Sequence, residues 1–203
     1  MALDGTYTGL KASVAAYLGR SDLTSTIPDF IVSAEESFNN TLRMPEMETR
    51  SVLNITGEYV TIPTDFLEFR SGYIDSSPRR KLQYMSPDEQ TDRHVAEGST
   101  SGVVYFSRAG NSFRFDPTPD TPVDAPIVYY AKVPPMALNA TNWLMQRAPT
   151  LYLYESCFHG AIFIMDDQRA MGARQMVESI KAELKAAGNR SRWGGPGMAT
   201  RPG

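Results

Sequence analysis

Apolar residues near the start of the chain recur every three or four positions. Tyr7, Leu10, Val14 and Leu18 share one stripe, which predicts a helix stopped by Gly19. A second helix begins near Thr26, which with Asp29 spells a Thr-x-x-Asp capping box, and Pro28 sits in the first turn where its missing N–H costs nothing. Phe30, Ile31, Ala34, Phe38 and Leu42 form its apolar stripe, and the two segments read as a helical hairpin. After Pro45 the period changes. Short runs rich in Val, Ile, Tyr and Phe, broken by Gly, Pro and Asp, predict strands at residues 50–56, 58–62, 67–75, 80–84, 103–108, 112–116 and 126–133. Gly110-Asn111 marks a two-residue hairpin, and Ser86-Pro87-Asp88-Glu89 a capped single helical turn. Helix returns after Pro134-Pro135: Asn142 caps a short one, Pro149 starts a second that is apolar on most sides, and Asp166 or Asp167 caps a last one ended by Gly188.

The order helices, strands, helices predicts an α+β fold. The N- and C-terminal helices would pack as one helical bundle, with a small antiparallel β-sandwich or barrel inserted between them. The divisions are 1–46 for the helical hairpin, 47–138 for the β-rich domain, 139–188 for the returning helices and 189–203 for a flexible basic tail. That tail holds Arg190, Arg192 and Arg201, no acid, and no Leu, Ile, Val or Phe. Such a segment buries too little apolar area to order itself. Trp193 is its one large anchor, and Trp and Arg are the residue types that dominate binding hot spots.

Composition narrows the function classes. Lys plus Arg number 20 against 23 Asp plus Glu, for a net charge of −3, which excludes a generally basic nucleic-acid binder. The single cysteine, Cys157, permits neither an intramolecular disulfide nor a cysteine-based zinc knot. The opening residues carry no basic start or apolar run, so no signal peptide is expected, and residues 148–165 are too polar for a membrane span. Catalytic chemistry finds little footing. Of the two histidines, His94 reads as a solvated residue in a polar loop. His159 cannot pair with Cys157 two residues away, and faces Glu155 at i,i+4 as a hydrogen-bonded or charged pair. Asp116, Asp120 and Asp124 lie among prolines and read as turn carboxylates, not a Ca²⁺ site. The Gly-rich run at 194–197 follows no strand and opens no helix, so it is not a phosphate loop. Asp65, Glu68, Asp88 and Glu89 are explained by turns and caps, and the strand aromatics by a core. No catalytic residue, metal ligand or cofactor is therefore expected. A tail-associated carbohydrate-binding module or a cell-wall glycan hydrolase stands as the alternative reading.

A series of motifs resembles the head-to-tail adaptor (connector) proteins of tailed bacteriophages, of podovirus type. They are Tyr7-x-x-Leu10, Ile27-Pro28-Asp29-Phe30-Ile31, Ala34-Glu35, Leu42-Arg43 and Met47-Glu48 in the first helices and beyond. Ile62-Pro63-Thr64-Asp65-Phe66-Leu67, Pro117-Thr118-Pro119 and Tyr129-Tyr130-Ala131-Lys132 follow in the β region. Thr141-Asn142-Trp143-Leu144, Ala148-Pro149, Leu151-Tyr152-Leu153-Tyr154 and Arg190-Ser191-Arg192 complete the order. The resemblance implies a structural virion protein without enzymatic activity. It would form a twelvefold ring below the portal protein, join it to the tail nozzle protein, and extend a channel that genomic DNA crosses without sequence-specific binding. Assembly would take place in the host cytoplasm, with no membrane involved. It implies that Asn189, Arg190, Ser191, Arg192, Trp193 and Arg201 bind the portal. Met44, Met47 and Trp143 are the candidate exposed apolar residues of the subunit interface. Removing the tail's +3 leaves the body near −6, and an acidic or neutral channel wall would let DNA slide.

Overall fold

The computed structural model describes residues 3–97 and 104–193. The chain divides into two compact units, Met1–Glu46 with Val133–Gly203, and Met47–Lys132. Among the described residues there are six α-helices and a seven-stranded sheet, so the protein is of mixed α+β class.

The first unit is helical: α1 (Tyr7–Leu18), α2 (Ile27–Thr41), α4 (Trp143–Arg147), α5 (Pro149–Phe163) and α6 (Asp167–Trp193). Thr6 caps α1 through its hydroxyl, which accepts from the Gly9 N–H at 3.0 Å, and Gly19 closes it in the left-handed conformation. Thr26 makes no side-chain cap to α2. The chain is already turning there, with the Ile27 N–H on the Leu23 carbonyl. α5 packs against α1, α2, α4 and α6, which explains why it is apolar on most sides. Its approach to α1 and α2 depends on Gly160, where a Cβ would stand 2.7 Å from Leu18 Cδ1 and 3.2 Å from the Phe30 ring.

α6 overruns the stop expected at Gly188 and continues to Trp193. A helical glycine costs only about 1 kcal/mol relative to alanine. Gly188 is buried, with Met44 Cε 3.2 Å from where its Cβ would lie, and its carbonyl accepts from Ser191 Oγ at 2.8 Å. The basic segment expected to be flexible from residue 189 is thus helical through 193, and residues 194–203, with Arg201, lie outside the described residues.

The second unit is built on β1 (Glu48–Ile55), β2 (Tyr59–Thr61), β3 (Phe66–Ile74), β4 (Arg80–Tyr84), β5 (Val104–Ala109), β6 (Ser112–Asp116) and β7 (Val123–Ala131), with α3 (Pro87–Glu97) between β4 and β5. Strand order is β1-β7-β3-β4-β5-β6-β2, one sheet curled into a half-barrel rather than the two-sheet sandwich or closed barrel expected. Register shifts along β3 against β7 supply part of the bend. The β5–β6 hairpin closes on Gly110-Asn111, with Ala109 opposite Ser112 and Gly110 at φ 61°. The sheet is not wholly antiparallel: β4 and β5 run parallel. A parallel pair needs a crossover, and α3 supplies it, so the single turn expected after Ser86 is an 11-residue helix. Ile55, Phe66, Leu82, Phe106, Phe113, Phe115, Ile127 and Tyr129 fill the inside of the curl, so these strand aromatics are core rather than a stacking platform.

Candidate functional site

The helical unit holds two buried polar clusters. In the first, the Glu35 carboxylate on α2 accepts from the Met136 N–H at 2.7 Å and from the Tyr152 hydroxyl of α5 at 3.4 Å. Asn142 donates to the Tyr152 oxygen at 2.6 Å and to the Pro134 carbonyl at 2.7 Å, while its own Oδ1 caps α4 by accepting from the Met145 N–H at 2.8 Å. Burial raises the Glu35 carboxyl above the usual carboxylate range and pushes the Tyr152 hydroxyl far up, so the phenol keeps its proton and donates. Asn39 adds a further tie by accepting from the Val133 N–H at 2.8 Å. Val133 and Met136, within the stretch expected with the β region, thus hydrogen-bond to side chains of α2.

The second cluster surrounds Glu155, whose side chain is 1% exposed. Lys181 Nζ of α6 lies 3.1 Å from Oε2, and Arg174 Nη1 and His159 Nε2 each 3.9 Å from Oε1. The Glu155–His159 pair expected from spacing is therefore the weaker part of a group in which the lysine dominates. Burial lowers the His159 pKa, which keeps the ring neutral at pH 7. Cys157 is buried nearby in sequence, and burial raises its thiol to about 12. Among the described residues, no three His, Cys, Asp or Glu come together as a metal-binding group.

Surface features are of another kind. At the C-terminal end of α6 a concavity of about 610 Å³ is floored by Pro149, Ile180 and Leu184 and rimmed by Arg147, Glu183 and Arg190. Arg147 is ion-paired with Glu46. Asn189, Arg190 and Ser191 are exposed on the last turns of α6, whose backbone also carries Arg192 and Trp193. Cations there complement the negative end of the helix dipole. The subunit-interface candidates need correcting. Met44 and Met47 are 1% and 2% exposed and present no apolar surface; Met44 packs against Gly188, and Met47 is buried at the end of the helical turn Pro45–Met47. Trp143 is half-buried at the start of α4.

In the β-rich unit, Gln90 is fully buried and pins α3 to the sheet. Its Oε1 accepts from Ser107 Oγ, and its Nε2 donates to the Arg114 carbonyl at 3.3 Å. His94 is not in a loop but on α3, its Nδ1 3.2 Å from the Asp116 carboxylate, and Arg93 stacks 3.9 Å above the Tyr105 ring. Asp116 is thus a buried strand-end acid and Asp124 a strand residue accepting from Asn54 Nδ2 at 2.8 Å. Asp65 accepts from the Tyr129 hydroxyl at 2.9 Å, and its carbonyl from the Lys132 N–H at 2.7 Å, which tie the turn before β3 to β7 and the residue after it; the Phe66 N–H on the Pro63 carbonyl at 3.0 Å closes that turn. Burial, with Asp65 beside it, pushes Tyr129 up to about 12.

These carboxylates serve caps, turns and ion pairs. The family model described as SU10 adaptor protein matches residues 5–200. The chain belongs to that family. It is thus a phage head-to-tail adaptor by family, which implies a place in the virion and contacts with other head or tail proteins. No curated protein matches it. No described helix of the adaptor is long and apolar enough to cross a membrane.

Proposed function

We propose that this adaptor is a non-enzymatic structural piece of the phage neck. It assembles as a twelvefold ring beneath the portal protein, joins it to the tail nozzle, and extends the channel through which the genome passes. The observation that carries this reading is the family match over residues 5–200, nearly the whole chain of 203. The buried clusters support it: Glu35, Tyr152 and Asn142 hydrogen-bond to one another and to the backbone, and the Glu155–Lys181 ion pair ties α5 to α6. Portal docking is assigned to Asn189, Arg190, Ser191, Arg192, Trp193 and Arg201, of which Arg190 lines the concavity at the end of α6.

A segment that orders on docking spends roughly 2–5 kcal/mol on that ordering. A helical start through Trp193 lowers this cost, since part of the segment is already in place. Truncation after Gly188 is expected to leave the far-UV circular dichroism nearly unchanged and to weaken binding to purified portal rings at least tenfold. Trp193→Ala is expected to cost more affinity than Arg201→Ala. Normal docking by the truncated chain refutes the assignment. Imaging the protein in its particle tests the ring and its stoichiometry directly.

A further inference from the structure

Two surfaces of the β-rich unit are left unused by portal docking, and they are complementary. One is a groove of about 700 Å³ across β1, β7, β3 and β4. The registers set Val52 beside Pro126, Arg50 beside Val128, and Tyr73 opposite Lys81, and all six residues line it. Val52, on the outer strand β1, is 58% exposed. Arg50 and Lys81 are exposed at the groove's rim, and neither joins an ion pair among the described residues.

The other surface is the outward face of α3. At about 100° per residue, Asp88, Asp92 and Val95 lie within roughly 60° of one another, on the side opposite Gln90. Gln90, Arg93 and His94 face the sheet, so the acidic stripe is left to solvent, with Val95 81% exposed. The dimensions agree. A helix of 11 residues is about 16 Å long, and four strands span about 14 Å between their outer axes. Each surface has an exposed valine among charges of a single sign, basic in the groove and acidic on the helix.

We propose that the adaptor associates head-to-tail with a second copy of itself, the Asp88, Asp92 and Val95 face of α3 seated in the groove lined by Arg50, Val52 and Lys81. The proposal rests on the ring reading above and deepens it by naming two different surfaces on one subunit, which a heterologous, ring-forming contact requires. A single helix in a groove is a small interface, so one contact alone is weak and salt-sensitive, and ring closure multiplies it.

The test is a charge swap in the full chain, read by sedimentation velocity over a concentration series up to hundreds of micromolar at low salt. Arg50→Glu with Lys81→Glu makes one variant, and Asp88→Lys with Asp92→Lys the other. Wild type is expected to self-associate. Each variant alone, with groove and helix of like sign, should associate at least tenfold more weakly. An equimolar mixture should recover wild-type association, because every groove then finds a helix of opposite sign; that recovery also establishes that both variants fold. A second arm uses Val52→Cys mixed with Val95→Cys under mild oxidation, where the buried Cys157 does not compete, and a covalent dimer in the mixture is expected. If both variants associate as wild type does, and the cysteines fail to link, the contact is wrong while self-association stands. If wild type stays monomeric throughout, the proposal falls with no consequence for portal docking, which the truncation tests separately.

Discussion

Replacing Lys181 with methionine isolates the energetics of the Glu155 cluster. The lysine and glutamate side chains are 4% and 1% exposed and 3.1 Å apart. At an effective dielectric constant of about 20, a pair at that distance attracts by roughly 5 kcal/mol, and desolvation of the two ions cancels most of it. The pair is therefore worth little as a whole, but either partner alone is a buried charge. Lys181→Met keeps an unbranched apolar stem and removes the ammonium, which sits 5.8 Å from the Phe38 ring centroid. Glu155 then keeps Arg174 and His159 at 3.9 Å, the first half in solvent and the second neutral at pH 7, which compensate it incompletely. The expected loss is about 3 kcal/mol, at the low end of values for broken buried pairs. Urea unfolding followed by tryptophan fluorescence reads this unit selectively, since Trp143 and Trp193 both belong to it. With a slope of about 1.5 kcal/mol per molar, the midpoint should fall by about 2 M. Adding Glu155→Met to Lys181→Met should restore stability to within about 1 kcal/mol of wild type or above it. A single variant costing under about 1 kcal/mol, or a double variant weaker than the single, would refute the reasoning.

Other expectations follow from the same geometry. Asn142→Ala removes the cap of α4 and leaves the Pro134 carbonyl and Tyr152 hydroxyl without its donor; a loss of about 2–4 kcal/mol is expected in the same urea assay. Gly160→Ala should destabilise by about 1 kcal/mol. Its Cβ would stand 2.7 Å from Leu18 Cδ1, and overpacking of about 1–3 kcal/mol outweighs the helix-propensity gain of about 1; a stabilised variant would sink that reading. The folded-state pKa of His159 is lowered by burial, so the folded state binds its proton less readily than the unfolded chain does. Stability is therefore lost as pH falls below the ordinary histidine value of about 6.5 toward the lowered one, and His159→Gln should flatten the profile in that window. Glu35, raised by burial, acts oppositely: its cost is absent in acid and grows as pH rises above the ordinary glutamate value. Parallel profiles for wild type and His159→Gln would refute the histidine assignment.

Elements set by local rules were legible in the sequence. The Gly110-Asn111 hairpin, the Asn142 cap and the Pro149 start are each fixed by a few adjacent residues. Features decided at long range were not. The parallel β4–β5 pair depends on where α3 lands, and Gln90 docks it through Ser107 and Arg114, both distant in sequence. The end of α6 has no local mark, because Gly188 packs against Met44, far away in the chain, and a residue that usually ends helices is carried through one. The burial of Met44 and Met47 is hidden for the same reason, since apolar residues following a helix end carry no local mark of what covers them. The Glu155–His159 spacing was visible at i,i+4, whereas Lys181, the closer partner, comes from another helix.

Five of the residues that carry the resemblance to phage adaptors are joints. Glu35, Asn142 and Tyr152 come from three of the motifs and meet in one hydrogen-bonded group. Asp65 and Tyr129 come from two others and meet in the β-rich unit. A catalytic family signature concentrates at a cleft where reacting groups converge. Here Glu35, Asn142 and Tyr152 are buried, with every polar atom of the Asn142 side chain directed at a helix end, a phenol or a backbone carbonyl. Such groups fix the geometry of an element rather than act on a substrate. In the ring proposed above, a part held by several neighbours needs that rigidity, because each contact is modest and small misplacements would be repeated at every copy. Loosening the Glu35–Tyr152–Asn142 group should therefore impair assembly before it abolishes folding, which is the reverse of what an active-site lesion does.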